Sequence, residues 1–213
     1  MHEKLLNRNF TLLILGQVSS LLGNLTLRFA LSMYVLEQTG SASLFAGLLA
    51  ASMLPTILLS PFGGILADRA DRRAVMVGLD SLSGLAVLLA ALALPHGPDL
   101  AVIAVLMIVL SVLAAFESPT VQACVPQMLT GENVLRGNAM VNQVQAAASL
   151  VTPFLGSVFY TAFGIRPVFY AAVACFFLTA LLECFLRLPP PAPAPRTSLA
   201  ALLREDFAVT LRF

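Results

Sequence analysis

Long apolar windows separated by short polar breaks organise the whole chain. Reading the windows between breakers predicts six helices, over roughly 10–36, 43–67, 74–95, 99–123, 138–162 and 166–187. The breaks read EQTGSAS, DRADRR, PHGPD, PQMLTGENVLRGN and GIRP. Several are so short that consecutive helices must run antiparallel. A helix needs about 20 apolar residues to cross a bilayer core, and each window reaches that length. After Arg187 comes LPPPAPAP, which cannot continue a helix. The following RTSLAALLREDFAVTLRF opens on a Thr/Ser cap signal and has helical amphipathicity. The predicted division is a six-helix bundle over 1–187 and a Pro-rich linker with an amphipathic segment over 188–213.

Composition identifies the solvent. Of 213 residues, 59% are hydrophobic and 11% charged, with mean hydropathy +0.91. Soluble domains are about 45–50% apolar and about 25% charged, so this chain cannot cover a water-facing surface. The natural surroundings are lipid, and the fold class is an all-α membrane protein. A net charge of +1 offers no field for nucleic acid. Cys124, Cys175 and Cys184 lie in or beside apolar runs and read as small core residues. His2 and His96 are too few and too scattered for a metal site, and no cofactor is expected. Lys4 and Arg8 precede an apolar run, as in a signal peptide. The run continues well past 20 residues without a small-x-small site, so a retained first span is expected.

Lysine and arginine set the expected orientation. With six spans, ten of the 12 cations fall on one side, Arg166 falls on the other, and Arg28 lies inside a span. That asymmetry predicts a multi-pass membrane protein with both termini in the cytoplasm.

The segment SPFGGILADRADRR, residues 60–73, asks for more than an orientation anchor. Charge asymmetry accounts for Arg69, Arg72 and Arg73, but not for Asp68, Asp71 or the paired glycines. The run from Gly64 to Arg73 resembles the signature of the major facilitator superfamily between its second and third helices, G-x-L-a-D-R-x-G-R-R/K. Gly64, Leu66, Asp68, Arg69, Arg72 and Arg73 match, while Asp71 stands at the second glycine. The DR-x-DRR form looks like the macrolide-efflux and siderophore-exporter branch. So do NRNF before the first helix, TGSA after it, and QACVP and GNAMVNQVQA around the fourth break. The resemblance covers essentially the whole chain.

It implies one half of a two-half transporter, each half being a 3+3 inverted repeat. Residues 188–213 would then begin the central loop. The gate motif would be Gly64, Asp68, Arg69, Arg72 and Arg73, with Asp68 latching onto a helix N-terminus of the other half. Gly63 and Gly64 would allow close helix approach. A weak internal echo fits the repeat: SPFGG at 60–64 resembles TPFLGS at 152–157 in the fifth helix. The latter also looks like a degraded antiporter motif that keeps Pro153 and Gly156. A proline kink on a packing face explains it equally well.

Polar residues inside spans are expensive and face a cavity or a partner. Gln17, Ser20, Asn24 and Arg28 recur at helical spacing on one face of the first helix. Asn138, Asn142, Gln145, Ser149 and Thr152 do the same on the fifth. The resemblance implies that these two helices line the cavity, so Gln17, Asn24, Arg28, Asn142, Gln145 and Ser149 are the candidate substrate contacts. Interhelical hydrogen bonding is the rival reading for the fifth-helix set, and an interfacial position is the rival for Arg28. Carboxyls shielded from water can carry protons. Asp68, Asp80, Glu117 and Glu183 could do so, and Glu117 and Asp80 are the candidates, with pairing to Arg72, Arg73 or Arg136 the rival reading for Glu117. Glu183 is expected to pair with Arg187 one turn on. The fourth helix lacks the arginine-bearing motif that the resemblance would imply for many proton antiporters.

The expected function is secondary transport, namely proton-coupled efflux of a small amphipathic compound by alternating access. The expected partners are the bilayer, the substrate, the proton, and a complementary C-terminal half or a second copy. A truncated or regulatory six-helix half without transport of its own is the alternative. An intramembrane protease would need a G-x-S-G serine and a membrane histidine. DSLSG at 80–84 lacks the leading glycine and neither histidine lies in a span, so no enzyme is expected.

Overall fold

A computed structural model describes residues 5–94 and 99–188, with the backbone alone at Asp68 and Arg69. The expectations for residues 189–213 therefore lie outside the described residues. Six helices follow in order: α1 (Arg8–Thr39), α2 (Ala42–Arg69), α3 (Arg72–Ala93), α4 (Asp99–Met128), α5 (Glu132–Phe163) and α6 (Ile165–Cys184). All six are long and apolar enough to cross a membrane. The end of the bundle carrying Arg8, the α2–α3 joint and Arg136 is called here the charged end.

The turns follow from local chemistry. Asn7 caps α1, its Oδ1 accepting from Phe10 N at 2.9 Å. Gly40, at φ 63°, closes α1, and Ser41 opens α2 by accepting from Leu44 N at 3.2 Å. Asp71 caps α3 through Arg73 N and Ala74 N at 3.0 and 3.4 Å. The carboxylate that replaces the family's second glycine is thus a helix cap.

The fourth break differs from its prediction. The long polar loop expected after residue 123 shrinks to residues 129–131, because α4 runs through Pro119 and Pro126 to Met128. Each proline removes an intrahelical bond. Burial of Val121, Cys124 and Val125 against α1 and α3 holds the helix together regardless. Gly131, at φ 58°, then makes the turn into α5. At the other boundary, α6 ends at Cys184 rather than at Arg187.

Helix pairing carries the repeat. The main contacts are α2 on α4, α1 on α6, α3 on α6, α1 on α5, and α3 on α4. Exchanging α1–α3 with α4–α6 maps α1·α5 onto α4·α2 and α1·α6 onto α4·α3. The glycines of the internal echo obey the same exchange. A Cβ on Gly63 of α2 would lie 2.4 Å from Ala115 O of α4, and one on Gly156 of α5 would lie 3.1 Å from Thr26 O of α1. In both places a missing side chain lets two backbones meet.

The interior is layered along the bundle axis. One apolar cluster joins Leu27, Leu31, Val87, Met107, Phe169 and Phe176 towards the opposite end. A second joins Phe10, Leu13, Met76, Val121, Val125 and Leu186 at the charged end. Between them, every contributing helix turns polar: Ser19 and Ser20 on α1, Asp80 and Ser83 on α3, Thr120 on α4, Thr179 and Glu183 on α6, all buried. The outer faces of α2 and α5 remain uncovered, with Ile57, Leu58, Leu150 and Phe154 exposed. Large exposed apolar residues at this density fit lipid or another apolar partner, not water.

Candidate functional site

The polar layer is built around Ser20. Small residues draw the helices close enough for it to form. A Cβ on Gly16 would lie 3.3 Å from Thr179, and one on Gly23 would lie 2.7 Å from the Cβ of Cys175, so α6 rides directly on α1. Ser20 Oγ then lies 3.0 Å from Asp80 Oδ1 and 3.2 Å from Glu117 Oε1, joining α1, α3 and α4. Gln17, one turn earlier, faces Glu117. Asp80 is wholly buried, and Glu117 is half-buried. Asp80 sits eight residues inside α3, about 12 Å along the axis. The two carboxyls predicted from the sequence are therefore brought together by a serine from the predicted α1 stripe.

Glu183 corrects an expectation. It does not pair with Arg187 at the surface. Its side chain is 1% exposed and faces Asp80 within hydrogen-bonding reach. Because α6 ends at Cys184, Arg187 falls beyond the helix, where Asn9 bonds its backbone at 2.8 Å. An (i, i+4) side-chain pair needs a helix running through both residues.

Further along α1, Arg28 Nη2 donates to Ser52 Oγ of α2 at 2.8 Å and to Ser111 Oγ of α4 at 3.0 Å. Both serines are buried, and Ser52 Oγ donates its own hydrogen bond to Leu49 O at 2.8 Å. The guanidinium is thus held between α2 and α4. Asn24 lies between the two arrangements, its Oδ1 buried without a hydrogen-bond partner among the described residues. The α1 stripe therefore faces α4, through Ser20–Glu117 and Arg28–Ser111.

The α5 stripe is not brought to it. Asn142, Gln145 and Ser149 are exposed on a different side, and Ser149 bonds its own helix at Ala146 O. The face of α5 that packs on the bundle is Gly137, Val141, Ala148, Thr152 and Gly156. Gly156 thus belongs to a packing seam against α1, with Pro153 partly exposed beside it.

At the charged end, Arg72 Nε donates to Ala67 O at 2.6 Å, closing α2. Arg73 donates to Cys184 O, the last residue of α6. A cation at a helix C-terminus is favourable. Gly64 faces open space, since nothing lies within 4 Å of a Cβ built there. The side chains of Asp68 and Arg69 lie outside the described residues, so the latch itself is not part of the observed geometry. Asn7 Nδ2 donates to Met128 O at 2.7 Å and Asn9 ties α6 down, which gives NRNF a physical task.

Sequence reading missed Ser52 and Ser111 as members of a polar arrangement. Their signal was present: each is a polar residue within a predicted span. What the sequence lacked was the partner helix.

The family model for the Major Facilitator Superfamily matches residues 13–211. Macrolide efflux protein A of Streptococcus pyogenes is 23% identical over 175 residues, 82% of this chain and 43% of that protein. Multi-drug resistance efflux pump PmrA of Streptococcus pneumoniae is 30% identical over 145 residues, 67% of this chain and 35% of that protein. The crystal structure of peptide transporter POT superposes with a TM-score of 0.70 at 15% identity, covering 96% of this chain and 46% of that one, which is a likeness of fold alone. The chain spans less than half the length of these curated relatives. With six spans in an exchange-symmetric bundle and the signature between α2 and α3, this chain belongs to the Major Facilitator Superfamily, a family of membrane transporters.

Proposed function

We propose that the chain forms the N-terminal half of a proton-coupled efflux transporter for a small amphipathic compound. It would sit in the bacterial cytoplasmic membrane with its charged end and both termini in the cytoplasm. A complementary C-terminal half, or a second copy, would complete the cavity and allow alternating access. The uncovered α2 and α5 faces and the exposed Asn142, Gln145 and Ser149 support that reading, since polar groups facing lipid are costly. The efflux proteins among its relatives support the direction of transport.

The observation that carries the proposal is the pair of polar arrangements on one face of α1. Arg28 offers a fixed cation, backed by Ser52 and Ser111, for an anionic or carbonyl group of the substrate. Glu117 and Asp80, joined by Ser20, lie nearer the charged end and would carry the proton. Asn24 lies between them on α1, and Gln17 faces Glu117 on the far side of Ser20; both would meet the substrate cavity. At the joint, Asp68 with Arg69 would latch the cytoplasmic gate, while Arg72 and Arg73 hold the ends of α2 and α6. Gly64, open on its outer side, leaves room for a helix of the other half.

The test is substrate efflux by the complete transporter in energised vesicles. Arg28→Ala is expected to abolish substrate response at an unchanged membrane level. Glu117→Gln is expected to remove the dependence on an imposed pH gradient. Efflux that ignores the gradient in the unsubstituted protein would refute proton coupling. Undiminished efflux by Arg28→Ala would make Arg28 structural.

A further inference from the structure

The three acidic groups of the polar layer are not equivalent. Glu117 is half-buried; Ser20 Oγ donates to it at 3.2 Å, and Gln17 faces it with an Nε2 that makes no hydrogen bond among the described residues. Asp80 and Glu183 are in a different position. They are 0% and 1% exposed, on α3 and α6, and their carboxyls face one another. Ser20 reaches only Asp80 Oδ1. Asp80 Oδ2 and Glu183 Oε2 are fully buried and receive no hydrogen bond among the described residues.

The donor supply makes the shortage sharper. A serine hydroxyl has one hydrogen, and Ser20 is placed between Asp80 and Glu117. Gln17, 7% exposed, holds an Nε2 with no partner on the Glu117 side of the layer. The idle donor thus faces Glu117, while Asp80 and Glu183 each hold one idle acceptor. The charges acting on Asp80 and Glu183 are each other's and that of Glu117. Cys124 of α4 borders Glu183, with Arg72 and Asp71 of the joint beyond it, and Thr179 of α6 is engaged with Gly16 O and Cys175 O. No group of three acidic, cysteine or histidine residues among the described ones is arranged to hold a metal ion.

Two buried carboxyls face to face, each with an acceptor lacking a donor, have one economical completion. We infer that Asp80 and Glu183 form a carboxyl–carboxylate pair that binds a single shared proton, a site separate from Glu117. The proton supplies the missing donor between the two oxygens and removes one of two like charges from a dry interior. It resides between α3 and α6, away from the α1–α4 face that carries Arg28. Glu117 stands on the other side of Ser20, with that hydroxyl and the Gln17 amide facing it.

The pair is testable on the purified chain in detergent by infrared spectroscopy with carboxylate exchange in deuterated buffer. At about pH 7, where a free carboxyl is ionised, a protonated-carboxyl C=O stretch is expected. It should be lost in Asp80→Asn and lost in Glu183→Gln, and retained in Glu117→Gln. Absence of the band in the unsubstituted chain overturns the pair, and this reading needs no variant to fold. A band that survives either Asp80→Asn or Glu183→Gln places the proton on one carboxyl and also overturns sharing. A band lost in Glu117→Gln moves the proton to Glu117 and does the same. The double variant Asp80→Asn/Glu183→Gln, whose amides can bond each other, checks that loss of the band is not loss of the fold. The spectrum requires no transport. Efflux that ignores a pH gradient therefore counts against the coupling proposed above, and the band counts for or against the pair alone.

Discussion

Gly63 of α2 lies against the backbone of Ala115 on α4. A Cβ at Gly63 would sit 2.4 Å from the Ala115 carbonyl oxygen. That oxygen is available because Pro119, four residues on, has no N–H to offer it. The glycine of one helix and the proline of the other therefore explain each other. Gly63→Ala is expected to lower the stability of the chain by about 1–3 kcal/mol, as overpacking does. Gly64→Ala, which meets nothing within 4 Å, should produce no loss. Thermal unfolding of the purified chain in detergent compares them, and equal midpoints would contradict the close approach.

Asp71 accepts from the backbone of Arg73 and Ala74 at the start of α3. Its place in the family signature belongs to glycine, and the cap explains why the exchange is mild. Asp71→Ala should cost about 1 kcal/mol, whereas Asp71→Gly should cost only a few tenths, because glycine is a tolerable N-cap. If Asp71→Gly proves as damaging as Asp71→Ala, the carboxylate has a task beyond capping.

The fold was readable because its determinants are local. Window length and hydropathy specify a span, and Gly40, Ser41 and Asp71 specify turns, without knowledge of any neighbour. Boundaries failed where tertiary packing overrode a local signal. Pro126 and the polar run after it announced a loop, yet burial of Cys124 and Val125 kept α4 helical. The site was readable only in part for the same reason. Spacing put Gln17, Ser20, Asn24 and Arg28 on one face, but could not say that the face meets α4 and not α5. Glu183 was misassigned because its spacing to Arg187 presumes a helix that ends three residues earlier. The glycines of α1 that seat α6 against it, Gly16 and Gly23, carry no sign of which helix they admit.

Ser20 has the most to lose from a small change. Its hydroxyl serves Asp80 and Glu117, and no other hydrogen bond to either carboxyl is as direct. Ser20→Ala leaves Asp80 Oδ1 buried without its donor, a loss of about 1–3 kcal/mol. Ser20→Thr keeps the hydroxyl and should recover part of it. The readout is again the unfolding midpoint in detergent. A Ser20→Ala chain as stable as the parent would mean that the hydroxyl is dispensable to the polar layer.

Arg28 and Ser111 form the contact that joins α1 to α4, and Ser52 adds α2. Substituting one partner alone confounds two effects, the lost bond and the group left unsatisfied. A double-mutant cycle separates them. Arg28→Met, Ser111→Ala and the pair together should give a coupling of about 1 kcal/mol, the value for a charged hydrogen bond reduced for the partly exposed guanidinium. The cycle through Ser52 should give a similar value, since its distance to Arg28 is 2.8 Å against 3.0 Å for Ser111. The same variants speak to function in the complete transporter. If the serines aim Arg28 at substrate, Ser52→Ala/Ser111→Ala should raise the KM for efflux while leaving membrane abundance unchanged. Normal KM with an intact coupling energy would assign Arg28 to holding helices together rather than to meeting substrate.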